Sequence, residues 1–280
     1  MAESLRILVA LGLTLLLVVL RIEAGRFGAA EYDEPAAGGR PSVLRRLAWY
    51  LLGIGGVVAI GVIHPGATSD LFLRVGDPFG AVSLGLVLAG LGAAQAVAVA
   101  WLHYQHLRLP SLGSYPGALL NELATAAVDE AVFRGAFLGF LIVGGVPTGF
   151  ALLGQAIVYT LATRTGAPGR DRYTFVLAFG IGLVAGWATL STGGIGAAFL
   201  GHAVTRVTVF LTTGHAGQLA LAGTEDEDLE RRRRTPDGWR VVGLGGGSRE
   251  SRGGSSRRGP GRGRPAVRER SSTRGPAGDR

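Results

Sequence analysis

The sequence predicts an all-α protein: a polytopic transmembrane bundle of about seven helices with a disordered C-terminal tail. Three observations carry this. Apolar residues are concentrated before about position 215, in runs close to the roughly 20 helical residues that cross a hydrocarbon core. Arginines gather in alternate connections between those runs. From about Gly217 the composition turns to Arg, Gly, Ser and Pro. The expected domains are therefore a transmembrane helical domain, 1–215, and an Arg/Gly/Ser-rich cytoplasmic tail, 216–280.

The first apolar run, 4–20, is short enough to resemble the h-region of a signal peptide. Its cleavage would leave Arg21, Arg26, Arg40, Arg45 and Arg46 on the translocated side, which the charge bias disfavours. The second run is 47–63. The loop "HPGATSDLFLRVGDP", 64–78, reads as an ordinary external connection. The third run, 79–101, ends near "HYQH", whose His103 and His106 are three apart but have no third metal ligand nearby in sequence. The remaining runs are 118–143, 146–162, 173–190 and 193–213. Gly135 with Gly139, and Gly182 with Gly186, give the four-residue spacing that permits close helix approach.

All 28 basic residues are arginine. Twenty-four fall on one side of the predicted bundle and only Arg6 and Arg74 on the other. Retained loops carry the excess, so the N-terminus is expected outside and the tail in the cytoplasm. With no cysteine, disulfides and thiolate metal sites are excluded.

The tail begins with "EDEDLERRRR" and continues as "GGGSRESRGGSSRRGPGRGRP". So little apolar surface cannot offset chain entropy, and disorder is expected. Fifteen arginines against nine acids suit contact with anionic lipid head groups, at about 1 kcal/mol per basic residue. The other readings are a solvated topogenic tail and an RNA-binding Arg/Gly segment.

The fourth run contains "AVDEAVFRGAF", which sets Asp129, Glu130 and Arg134 within an apolar helix. A charge at the bilayer centre costs about 2.5–3.5 kcal/mol on insertion scales, so such residues usually face the bundle interior. Glu130 and Arg134 are four apart and can pair on one helix face. Asp129 points about 100° away and has no local cation. Arg206 in the seventh run is the expected neutraliser of Asp129. Glu122, nearer the cytoplasmic end, is expected to reach water. His202, four residues before Arg206, can ligate a metal, shuttle a proton or bond within the core. Gln155, Tyr159 and Thr163 form a weaker polar stripe.

"DEAVFRG" (129–135) resembles the first motif, Glu-Glu-x-x-x-Arg, of the CPBP (CAAX protease and bacteriocin-processing, or Abi) intramembrane proteases. "GIGLVAGWATLSTGGIGAAFLGHAVTR" (180–206) is similar to the stretch around the family's third motif, His-x-x-x-Asn, with His202 as its histidine. Tyr159-x-x-x-Thr163 stands where the second motif, Phe-x-x-x-His, belongs. The resemblance covers about 85–213. It implies peptide hydrolysis in or near the membrane, with Asp129, Glu130, Arg134, His202 and Arg206 at catalytic positions and Tyr159 and Thr163 at second-motif positions. It also implies a divalent metal such as zinc, for which His202 is the one retained ligand.

Three positions depart from the motifs. Asp129 retracts the first carboxylate by one methylene, Thr163 replaces a histidine, and Arg206 replaces the asparagine. The metal ligand set is thereby left incomplete. Two functional readings follow: an intramembrane endopeptidase acting on a membrane-embedded peptide, and an inactive relative that binds or regulates. A proton-coupled carrier is a third, because intramembrane acids and histidines also mark proton paths.

Overall fold

The computed structural model describes residues 2–23, 40–104, 106–109, 116–164, 172–213 and 240–243. Each helix begins or ends where the sequence changes its local chemistry. α1 (Glu3–Glu23) has an acid in its first turn and Arg21 in its last, both favourable to the helix dipole. α2 spans Arg40–Ile63. α3 (Pro78–Tyr104) starts on a proline whose fixed φ suits a first helical residue. The Asp77 carboxylate caps it, accepting from the Gly80 N–H at 2.6 Å. α4 (Pro116–Asp129), a π-helical segment (Glu130–Phe137) and α5 (Leu138–Val143) run on as one rod. α6 (Thr148–Arg164), α7 (Arg172–Thr192) and α8 (Gly196–Thr213) complete seven helical rods among the described residues, in the predicted order.

The packing partners are specific. α3 lies along α8, α6 along α7, and α1 against α2, α6 and the π segment. Gly182 and Gly186 face α6, where a Cβ at Gly182 would come within 3.1 Å of the Ala156 backbone. Gly135 and Gly139 do something different. They meet the loop between α2 and α3, and a Cβ at Gly139 would lie 2.4 Å from Asp70 O and 2.6 Å from Leu71 Cα.

That loop is therefore not the ordinary connection expected from sequence. Leu71 is fully buried, and Phe72 holds a left-handed φ of 52°. For a non-glycine residue this conformation persists only where surrounding packing enforces it. The loop also joins the α7–α8 turn through backbone bonds: Asp77 N–H to Thr192 O (2.8 Å), Ile195 N–H to Arg74 O (2.9 Å) and Gly196 N–H to Val75 O (3.2 Å). Gly194 allows this approach, since its Cβ would sit 2.4 Å from both Arg74 O and Gly76 N.

The molecule is inside-out relative to a water-soluble bundle. Phe79 is 83% and Val62 72% exposed, while Glu122, Asp129, Glu130 and Arg134 are all buried. Apolar exteriors around charged interiors define an integral membrane protein. Glu3–Glu23, Pro78–Ala98 and Phe175–Thr192 are long and apolar enough to cross a bilayer. Ala48–Ile63, Thr148–Thr163 and Gly196–Thr212 are shorter apolar helices, and the rod bearing the charges does not meet the same measure. The seven helices expected from sequence are present among the described residues, three of them long and apolar enough to cross a bilayer and three more apolar but shorter.

One feature adds to the all-α fold. His106–Leu109 (β1) pairs antiparallel with Arg240–Gly243 (β2), Leu107 opposite Val242. Residues 240–243 fall in the tail expected to be disordered, and here they form a strand. The remaining tail, 214–239 and 244–280, lies outside the described residues, as do the side chains of His103 and His106.

Candidate functional site

The site is built on the π segment. Leu138 N–H reaches back five residues to Phe133 O as well as to Gly135 O. This wider turn is rare and recurs mostly at functional sites. It lets the acidic and basic residues turn inward while Gly135 and Gly139 stay against the 64–77 loop.

Glu130 is at the centre, with no exposed side-chain surface. Its Oε1 lies 3.1 Å from Arg134 Nη1, the intrahelical pair that the four-residue spacing predicts. The same oxygen lies 2.6 Å from His202 Nδ1 on α8, a contact in which the ring N–H donates to the carboxylate. Glu130 Oε2 is buried and makes no hydrogen bond among the described residues. The Arg134 guanidinium stands 3.7 Å from the centroid of the Tyr159 ring, a cation–π contact. Its nitrogens are buried, and none makes a hydrogen bond among the described residues. Tyr159 also meets Phe133 and His202 edge-on, with centroids 5.4 and 6.3 Å away.

Asp129 is held elsewhere than expected. Arg21 on α1 clamps it bidentately, Nε to Oδ1 at 2.8 Å and Nη2 to Oδ2 at 3.1 Å. Arg206 does not pair with it. Arg206 Nε lies 2.8 Å from Glu122 Oε2. Glu122 is 1% exposed and so does not reach water. Both corrections have one cause: successive helical residues diverge by about 100°, so Asp129 faces α1 while Glu130 faces α8. Glu122 and Glu130 are about two turns apart and share the α8 side.

The Glu122 end continues as a polar chain. Asn121 Nδ2 donates to Glu122 Oε1 at 3.2 Å, and the Tyr50 hydroxyl on α2 donates to Asn121 Oδ1. The Tyr50 and Thr125 hydroxyls are 3.0 Å apart. Sequence reasoning missed Arg21, Tyr50 and Asn121. The signal for Arg21 was its place one turn from the end of an apolar run, where it was counted only as a topogenic charge.

Of the second-motif positions, Tyr159 joins the cluster. Thr163 does not: its hydroxyl donates within its own helix to Tyr159 O (2.9 Å) and Thr160 O (3.3 Å). Gln155 is buried beside Gly186 of α7.

The donor set does not fit a catalytic divalent metal. His202 Nδ1 and Glu130 Oε1 are bonded to one another, and Arg21, Arg134 and Arg206 line the same region. Among the described residues no group of three His, Cys, Asp or Glu side chains converges. A site of this kind normally supplies three protein ligands.

The buried carboxylate–imidazole pair lies inside a bundle with an apolar exterior. Residues 111–208, which hold Glu122, Asp129, Glu130, Arg134, Tyr159, Thr163, His202 and Arg206, match the family described as type II CAAX prenyl endopeptidase Rce1-like. The CPBP resemblance read from the motifs is borne out on this segment. No curated protein and no solved structure matches the chain.

Proposed function

We propose that the protein is an intramembrane endopeptidase whose general base is Glu130. The observation that carries this is the state of its two oxygens. Oε1 is held by His202 and Arg134, and Oε2 is uncommitted. A base must offer a lone pair to water, and Asp129 has spent both oxygens on Arg21. Glu130 takes a proton from water, the resulting hydroxide adds to the peptide carbonyl, and the proton passes to the leaving amide nitrogen. Arg134, whose guanidinium beyond its ion pair with Glu130 makes no hydrogen bond among the described residues, donates to the developing oxyanion. The substrate is a membrane-embedded or membrane-proximal peptide. The N-terminus lies outside, and the arginine-rich tail faces the cytoplasm and contacts anionic lipid.

The test is cleavage of a membrane peptide library by the purified protein. Glu130→Gln and His202→Ala should each lower turnover by about 10²–10⁴-fold. Asp129→Asn should retain more activity than Glu130→Gln. Wild type and Glu130→Gln cleaving alike would sink the reading.

A second reading is favoured by one observation: Glu122, Asp129 and Glu130 each face an arginine. In that reading the protein is an inactive relative, and the charges hold a membrane binding or regulatory bundle together. Its signature is no turnover above the Glu130→Gln background, with loss of stability when any one partner is removed.

A further inference from the structure

Arg21 lies outside the segment that matches the endopeptidase family, on a helix with no part in the three motifs. It nevertheless holds the first motif residue across 108 positions of sequence. Beside this pair is a narrow crevice of about 30 Å³ between α1, α2 and α4. Leu17 and Leu20 of α1, Gly53 of α2, and Val132 and Phe133 of the π segment line it, together with Arg21 and Asp129. Phe133 touches Tyr159, and Tyr159 touches His202. The crevice is therefore one aromatic layer from Glu130 and His202.

Polar contacts at both ends hold α1 over this flank. At its C-terminal end is the Arg21–Asp129 clamp. At its N-terminal end Arg6 Nε donates to Ile63 O at 2.7 Å. The two differ in direction. Arg6 ties α1 to α2, its neighbour in the hairpin, whereas Arg21 ties α1 to α4, the rod that carries the site. α1 can move from α4 only if the Arg21 clamp opens, and α2 can follow only if Tyr50 also leaves Asn121 and Thr125.

We propose that Arg21 is a positioning residue of the site, acting as a latch. It turns Asp129 away from Glu130 and seats α1 against the π segment, closing the apolar crevice. The proposal rests on the site being built around Glu130, but the latch itself is independent of turnover. A peptide approaching from the lipid side reaches Glu130 after the pair separates. The arrangement is self-consistent in charge: closed, the two charges neutralise one another, and open, each needs a polar partner that an incoming backbone can supply.

The chain has no cysteine, so a single reporter thiol is unambiguous. Val132→Cys places it on the crevice wall of the full-length protein in detergent, to be labelled with a small maleimide. Adding Arg21→Gln should speed labelling by about tenfold, equivalent to about 1.4 kcal/mol. Exchanging the charges, Arg21→Asp with Asp129→Arg, should return the rate towards that of the parent. Arg206→Gln breaks a comparable buried pair that does not involve α1, and should leave the rate unchanged. Arg21→Lys keeps the charge but loses the fork, and falls between. The latch is overturned if Arg21→Gln does not accelerate labelling, or if Arg206→Gln accelerates it equally. In the cleavage assay, Arg21→Gln should lower KM more than it changes kcat. Absence of cleavage in every variant defeats the endopeptidase reading and leaves the labelling result to decide the latch.

Discussion

The two ends of this bundle close by different chemistry. At the end holding Arg74 and Gly193, closure is by backbone: the 64–77 loop bonds to the α7–α8 turn, and Leu71 presses on two glycines. Towards the opposite end, closure is by side-chain charge: Arg21–Asp129 and Arg206–Glu122 join α1 and α8 to α4, and Tyr50 joins α2. Backbone closure has no alternative partner and is set by shape. Ion pairs are exchangeable, because each charge can accept another partner. The difference teaches where this molecule can change conformation and where it cannot. The Glu130 centre sits between the two ends, on the helical segment that both use.

The comparison can be broken most severely at the centre. Arg134→Ala leaves Glu130 buried with an uncompensated charge, and should cost about 3–5 kcal/mol. Thermal unfolding in detergent measures it, and a loss below about 1 kcal/mol would contradict burial of the pair. At the Arg74–Gly193 end, Gly139→Val drives side-chain atoms into the backbone of residues 70–71. We expect a loss of about 1–3 kcal/mol from overpacking, insensitive to salt. At the ion-paired end, Glu122→Gln and Arg206→Gln should be non-additive. Their double-mutant cycle should give a coupling of about 1–2 kcal/mol, and strict additivity would show that the pair is not formed. Tyr50→Phe removes one hydroxyl from the polar chain and should cost about 1 kcal/mol.

The smallest effect is one of pH at the loop that follows α2. His64 follows α2 in the loop, and burial is the main cause of a pKa held below its ordinary value, with Asp70 opposing and Arg6 adding. Its Nδ1 accepts from the Gly66 N–H at 3.1 Å, which requires the neutral ring. The unfolded chain takes up this proton near pH 6.5, about the ordinary histidine value, while the fold resists it. Stability is thus fully present above that pH and declines as pH falls below it. Unfolding temperatures from pH 7.5 to 5 should decline less in His64→Gln than in wild type.

What was legible in the sequence follows from the range of each interaction. The helical rods were legible because apolar runs and their arginine punctuation are local. The Glu130–Arg134 pair was legible because four-residue spacing fixes it. The partner of Asp129 was not, because Arg21 is distant in sequence and had an equally good local explanation as a loop charge. Glu122 was misassigned because depth along a helix was judged from distance to its end, when α8 and α2 cover that end. The π segment was invisible, since composition does not encode which carbonyl an N–H selects. The docked loop was read as a plain connection because one buried leucine among fifteen loop residues leaves no periodic trace.

The π segment has a consequence for rotational phase. A turn that spans five residues instead of four advances everything after it by about 100° relative to a uniform α-helix. Upstream, Glu122 and Asp129 are phased to α8 and α1. Downstream, Gly139 is phased to the 64–77 loop. A regular helix cannot satisfy both settings with this sequence. Deleting one residue, such as Ala131, would let the rod relax to uniform pitch, and one of the two alignments would then be lost. The supernumerary residue is a phase offset written into the chain, and its length is as much a part of the site as the carboxylate it carries.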